Sequence, residues 1–155
     1  MSLAKDFSKL INCQDDSSDK DKICKCISCD KINNLAHPDF TIIERSSVCS
    51  DTKCVSCKST KGQQIRECVI SENIISKSRF KPFMSNYKVV VINQANYLSK
   101  VSSESLLKTL EDIDSNFLII FHTKRRELVK LSLIHISEPT RLLSIAFAVF
   151  WLKKK

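Results

Sequence analysis

Four consecutive β-branched residues, Val89-Val90-Val91-Ile92, constrain this chain more than any other stretch. The run is too short for a helix and lacks the polar alternation of a half-exposed strand. It predicts a central strand covered on both faces, as in a parallel α/β sheet. Asn93 and Gln94 follow directly, at the carboxyl end where open α/β sheets keep their ligand chemistry. Ser99 is then placed to cap a helix with apolar positions Val101, Leu106, Leu107 and Leu110. A second apolar run, residues 117–121, completes a strand–helix–strand unit. The expected fold class is α/β, a parallel sheet flanked by helices.

Upstream, residues 2–12 read as an amphipathic helix with Leu3, Phe7, Leu10 and Ile11 on its apolar stripe. Residues 40–43 make a short strand after the Pro38 turn. Residues 63–76 make a helix whose buried side is set by Ile65, Cys68, Val69, Ile74 and Ile75. Pro82 stops any helix before the central strand, and Phe80 and Phe83 read as packing residues under that connection. At 155 residues the chain can bury one real core. Its single glycine is too few for a phosphate-binding loop. The net charge of +8 is scattered, which reads as a solvated surface before it reads as a polyanion site. Eight cysteines without a secretory signal pattern point to a reducing cytoplasm, and so to metal ligands or free thiols ahead of disulfides. Among the later cysteines, Cys54-x-x-Cys57 is a half-site that Cys49 and Cys68 can complete. Cys68, beside Ile65 and Val69, also reads as a small buried apolar residue. Free thiols are the expectation there, with a second zinc as the alternative.

Three stretches carry a family resemblance: Lys81-Pro82-Phe83, Tyr87-Lys88-Val89-Val90-Val91-Ile92-Asn93-Gln94-Ala95, and Leu106-Leu107-Lys108-Thr109-Leu110-Glu111. They resemble the bacterial DNA polymerase III clamp-loader subunits, delta-prime and gamma/tau, of the AAA+ class. The resemblance implies a partial AAA+ (P-loop NTPase-like) domain over residues 1–130. In ATP-hydrolysing members the central strand ends in Asp-Glu, for Mg²⁺ and for polarising the attacking water. Asn93 and Gln94 stand in those places and can neither carry charge nor act as a base. This degenerate Walker B pair favours the non-hydrolysing delta-prime type, with no catalytic residue. Ser2-Leu3-Ala4-Lys5 looks like the residues after the Walker A Lys-Ser/Thr. A chain starting at an internal Met and binding no ATP is therefore expected. The resemblance also implies a four-cysteine zinc module as an insertion over residues 13–37, with Cys13, Cys24, Cys26 and Cys29 as ligands. Thiolates suit Zn²⁺ and would tie down a polar loop. The family spacing is Cys-x-x-Cys-x-x-Cys, whereas this chain has Cys24-x-Cys26-x-x-Cys29. Either one residue is deleted, or Ile23 takes the ligand position and Cys24 a glycine position. A degenerate loop of free thiols is the competing reading. Thr123 matches the sensor-1 position, with His122 one residue too early.

Residues 131–141, Leu-Ser-Leu-Ile-His-Ile-Ser-Glu-Pro-Thr-Arg, read like a translated sequencing adapter, so residues 131–155 are expected to be a non-native tail after a basic helix over 124–130. Residues 142–152 are too few to span a bilayer, and no membrane association is expected. By analogy the strands present are the second, third and fourth of a five-stranded sheet. The 117–121 strand would then have a bare apolar edge and the chain poor solubility. The favoured function is a non-catalytic clamp-loader subunit. Its expected partners are the gamma/tau and delta subunits and, through the complex, the sliding clamp and primer–template DNA. The alternatives are part of a gamma/tau ATPase subunit and a zinc-dependent nucleic-acid-binding module.

Overall fold

The computed structural model describes residues 2–15, 24, 26–55, 57, 64–111, 116–123 and 148–151. In chain order these form α1 (Ser2–Asn12), α2 (Ile27–Asn33), β1 (Phe40–Ile43), α3 (Glu67–Ile70), a π-helical segment (Ser71–Ile75) running into α4 (Ser76–Ser78), β2 (Lys88–Asn93), a 3₁₀ turn (Ala95–Tyr97), α5 (Lys100–Glu111), β3 (Phe117–Thr123) and β4 (Ala148–Trp151). The expected basic helix over 124–130 and most of the 131–155 tail lie outside the described residues.

All strands are parallel, in the order β1-β2-β3-β4. The expected central strand is β2. Val89, Val90, Val91 and Ile92 are fully buried between β1 and β3. Their alternation feeds two cores, because successive side chains of a strand point to opposite faces. Val90 and Ile92 pack with Ile65, Val69, Ile70, Ile74, Leu106 and Leu110 on one side. Val89 and Val91 pack with Ala4, Ile32, Leu118 and Ile120 on the other. The result is a sheet between two helical layers.

Local chemistry explains where the sequence reading shifts. Ser99 caps α5 as expected, accepting from Ser102 N at 3.1 Å. The buried face of α5, however, is Ser102, Ser103, Leu106 and Leu110, and Val101 points outward, 58% exposed. In α1 the small and polar residues Ala4, Ser8 and Asn12 face inward, while Leu3 and Leu10 are exposed. Small side chains there admit close approach of α2. Asn12 earns its burial by pairing with the main chain of Tyr87 at both ends, Nδ2 donating to its carbonyl at 2.9 Å and Oδ1 accepting from its amide at 3.0 Å. Ile65 lies outside the helix expected over 63–76. It forms an isolated bridge to Leu98, with Ile65 N donating to Tyr97 O at 2.8 Å and Ser99 N donating to Ile65 O at 3.2 Å. Arg66 is extended, so the helix starts at Glu67. Phe80 and Phe83, expected as packing residues, are 70% and 83% exposed. The connection is held through its backbone instead. Lys88 Nζ donates to Lys77 O at 3.1 Å and Phe80 O at 3.0 Å, a cation on the carbonyl end of α4.

The expected bare edge is also revised. β4 pairs with β3 from Ile120↔Ala148 to Thr123↔Trp151, so this part of the edge has a hydrogen-bonded neighbour.

Asp39, 1% exposed, joins β1 to the segment before β2. Its carboxylate accepts from Phe83 N (2.8 Å), Met84 N (2.7 Å), Ser85 N (3.2 Å) and Ser85 Oγ (3.1 Å). Burial opposes its ionisation, but these donors prevail and hold it below its ordinary 3.8. Burial likewise pushes His37 below its ordinary 6.5, with Lys31 adding to the effect against the opposing pull of Asp39. Both shifts act in one direction. Below about pH 6.5 the unfolded chain takes up a proton on His37 that the folded one resists. Below about pH 4 the unfolded chain protonates Asp39 before the folded one does, and its contribution fades. Unfolding in denaturant should therefore show stability falling in two stages as pH drops from 7 to 3. Asp39→Asn should cost about 1.5–3 kcal/mol at pH 7, with the gap to the native chain closing below about pH 4.

Candidate functional site

The first cysteine set assembles at the ends of two helices. Cys13 follows α1, and Cys26 is the N-cap of α2, its Sγ accepting from Cys29 N at 3.4 Å. Cys24 Sγ lies 3.3 Å from Cys13 Sγ, and Cys26 Sγ lies 4.0 Å from it. The four sulfurs of Cys13, Cys24, Cys26 and Cys29 all lie within 4.8 Å of one another. A disulfide needs about 2.05 Å. Four thiolates about 2.3 Å from a central zinc define a tetrahedron with edges of about 3.8 Å. The set is spaced for a metal and not for a disulfide. It also places Cys24 itself among the four, in the ambiguous Cys24-x-Cys26 stretch; Ile23 lies outside the described residues.

The electrostatics of this set favour a shared proton. Burial opposes ionisation of Cys26, but the amides of Gln14 and Cys29 aimed at its sulfur bring it down to about 6. Burial, then the hydrogen bonds with Cys26, Cys24 and Cys13, push Cys29 strongly up. Binding a divalent cation here would release thiol protons to solvent, that of Cys26 most readily. His37 is engaged elsewhere. Its Nδ1 accepts from Asp39 N at 3.0 Å, which leaves Nε2–H to donate to Ser28 Oγ at 3.1 Å. This latch ties α2 to β1 beside the cluster.

The second set also converges. Cys49, Cys54 and Cys57 from the loop after β1 meet Cys68 of α3, all four sulfurs within 4.8 Å of one another. Cys68, expected above all as core filling, has its Sγ 3.4 Å from that of Cys57. The amide of Cys49 lowers Cys57 to about 6 against its burial, with help from Arg66. Burial, then Cys57 and its neighbours, pushes Cys68 up to about 12.

At the carboxyl ends of β1 and β2 lies a shallow cleft lined by Glu44, Arg45, Ser46, Asn93 and Gln94. Asn93 bridges it. Its Nδ2 donates to Glu44 Oε1 at 3.0 Å, and its Oδ1 accepts from His122 Nδ1 at 2.8 Å. Gln94 adopts the left-handed conformation (φ 58°, ψ 51°), a strained choice for a residue with a Cβ, where the chain leaves the strand for the 3₁₀ turn. Arg45 stacks 4.0 Å from the Tyr97 ring centroid. Thr123 is buried, its Oγ1 donating to Asn96 Oδ1 at 3.4 Å. His122, one residue earlier, is the one that pairs with Asn93. The two amides offer hydrogen bonds and no charge. Glu44 was missed by the sequence reading, although the strand-end rule that singled out Asn93 applies equally to the residue after Ile43.

The bridge makes a testable demand on charge. Asn93→Asp would set a second carboxylate against Glu44 Oε1 in place of the amide that donates to it. The variant should lose about 1–2 kcal/mol of stability at pH 7. The loss should shrink in high salt, which screens the repulsion, as melting curves of the variant and the native chain at low and high salt would show.

No helix among the described residues is long and apolar enough to cross a membrane. Residues 1–134 match the family model described as "DNA polymerase III, delta subunit". The chain is also 28% identical over 134 residues to DNA polymerase III subunit tau of Bacillus subtilis (strain 168), covering 86% of this chain and 20% of that protein. The chain thus spans about a fifth of that relative's length. With its parallel sheet and flanking helices, the chain belongs to the DNA polymerase III delta-subunit family of clamp-loader proteins.

Proposed function

We propose that this chain acts as a non-catalytic, delta-prime-type clamp-loader subunit with an AAA+-type sheet. In this reading it works in the bacterial cytoplasm with gamma/tau and delta subunits to load the sliding clamp at primer–template DNA. The observation that carries the reading is the pair of amides, Asn93 and Gln94, at the end of β2. Metal-assisted hydrolysis at a strand end needs a carboxylate for the cation and a second one to polarise water. Asn93 spends its side chain bridging Glu44 and His122, which suits a rigid scaffold. Gln94 has no ionisable group to offer a water molecule.

Zinc at Cys13, Cys24, Cys26 and Cys29 belongs to the same reading. Four protein thiolates close the coordination shell, so the metal would serve folding. It would hold the start of α2 against the end of α1, where Asn12 already anchors the entry to β2.

A second reading, part of a gamma/tau-type ATPase subunit, is favoured by the similarity to the tau subunit. Turnover separates the two. Incubated with Mg²⁺-ATP, alone and with its partner subunits, the chain should add no phosphate release above the level the partners give without it. Release by this polypeptide alone would select the gamma/tau reading. Co-purification with gamma/tau and delta subunits expressed alongside it should be stoichiometric, and failure to associate with either would remove the clamp-loader role. For the metal, Cys24→Ser combined with Cys26→Ser should lower bound zinc by one equivalent per chain, measured by elemental mass spectrometry.

A further inference from the structure

We propose that Cys49, Cys54, Cys57 and Cys68 form a second, structural zinc site that fastens the stretch after β1, from Glu44 to Cys54 together with Cys57, to the helix beginning at Glu67. This inference does not depend on the clamp-loader reading. Cys57 Sγ lies 3.4 Å from both Cys49 Sγ and Cys68 Sγ, and no pair among the four is separated by more than 4.8 Å. These spacings bracket the roughly 3.8 Å edge of a zinc–thiolate tetrahedron and exceed the roughly 2.05 Å of a disulfide. Three donors come from one loop and the fourth from a helix, so a bound ion would cross-link two elements.

Packing alone is a poor account of this convergence. Buried cysteines behave as small apolar residues and need no contact with one another. Here three of the four sulfurs come from a stretch whose apolar residues Val48 and Val55 are exposed (53% and 76%). Cys57 is buried, and Cys49, Cys54 and Cys68 pack against the same core. The loop is otherwise tied to the helix by Ser50, whose amide donates to Glu72 Oε2 at 2.9 Å and whose hydroxyl donates to Glu72 Oε1. Zinc with four thiolates carries two net negative charges. Arg66, 5% exposed, hydrogen-bonds Cys57 and supplies a cation at the cluster. Outer-shell donors of this kind orient metal ligands and tune their basicity.

With four protein ligands the ion has no open position, so the site is a structural clasp. What it holds matters for the strand-end cleft. Glu44 and Arg45 begin the fastened loop, and they reach Asn93 and the Tyr97 ring.

The test uses the full chain, loaded with zinc and purified under reducing conditions. Elemental mass spectrometry should find two zinc ions per chain. Cys49→Ser with Cys54→Ser should reduce this to one, as should Cys13→Ser with Cys24→Ser. Because either variant can misfold, the native chain supplies the deciding measurement. Iodoacetamide labelling before denaturation should leave Cys49, Cys54, Cys57 and Cys68 unmodified, and prior chelation should expose all four. The Cys13→Ser, Cys24→Ser variant refolded with Co²⁺ should give the charge-transfer and d–d absorption of a tetrahedral four-thiolate site. One zinc per native chain with these four cysteines freely labelled would overturn the proposal. So would a disulfide between any two of them in the native chain.

Discussion

Burial of β2 on both faces is the constraint from which the rest of the structure follows. Val89, Val90, Val91 and Ile92 have no exposed face, so the sheet must be clothed twice. Each such side chain contributes about 1.5–3 kcal/mol when removed from water, and alternation divides that gain between two separate cores. One is closed by α1 and α2, the other by α3, its π-helical continuation and α5. The strand's end is consequently the first place where the buried ribbon can present polar chemistry. Asn93 does so by joining β1 to β3 through Glu44 and His122.

The two cysteine sets stand in a regular relation to this architecture. One lies between the first two helices, which themselves close the core fed by Val89 and Val91. The other lies between the loop after β1 and α3, against the core fed by Val90 and Ile92. Both occupy polar stretches with little apolar surface to bury. The proposed zinc ions would supply there the cross-links that side-chain packing supplies elsewhere. The shared pattern of one lowered and two raised thiols in each set reflects the same geometry, a sulfur that collects N–H donors beside thiols raised by burial and by their neighbouring sulfurs.

Periodicity and chain length made the sheet legible in the sequence. Residues 40–43 and 89–92 form strands as read, and the run at 117–121 extends only to Thr123. Helix faces were less legible. Phe7, Ile11, Leu106 and Leu110 pack inward as the stripes predict, but Leu3, Leu10 and Val101 are exposed and Ala4, Ser8, Ser102 and Ser103 take inward positions. Close helix approach selects small residues, and serines can return their hydroxyls to the helix backbone, as Ser8 does to Ala4 O at 2.7 Å. The first cysteine set was visible from its family resemblance. The convergence of the second depended on a fold that carries Cys68 back over the loop, which spacing alone does not reveal. Asn12 and Asp39 left no local signal, because their partners lie 75 and about 45 residues away.

Asp39 has a consequence for how this chain can diverge. Three of its four hydrogen bonds come from main-chain amides at 83–85, so the recognition is blind to what those residues carry beyond their Cα atoms. Phe83 can point into water and still be held. Drift at position 83 is therefore free apart from proline, which has no amide hydrogen to give. Position 39 bears nearly the whole requirement, shared only with the Ser85 hydroxyl. Aligned descendants of this chain would show a fixed acid facing a variable stretch, an asymmetry that pairwise covariation would not detect.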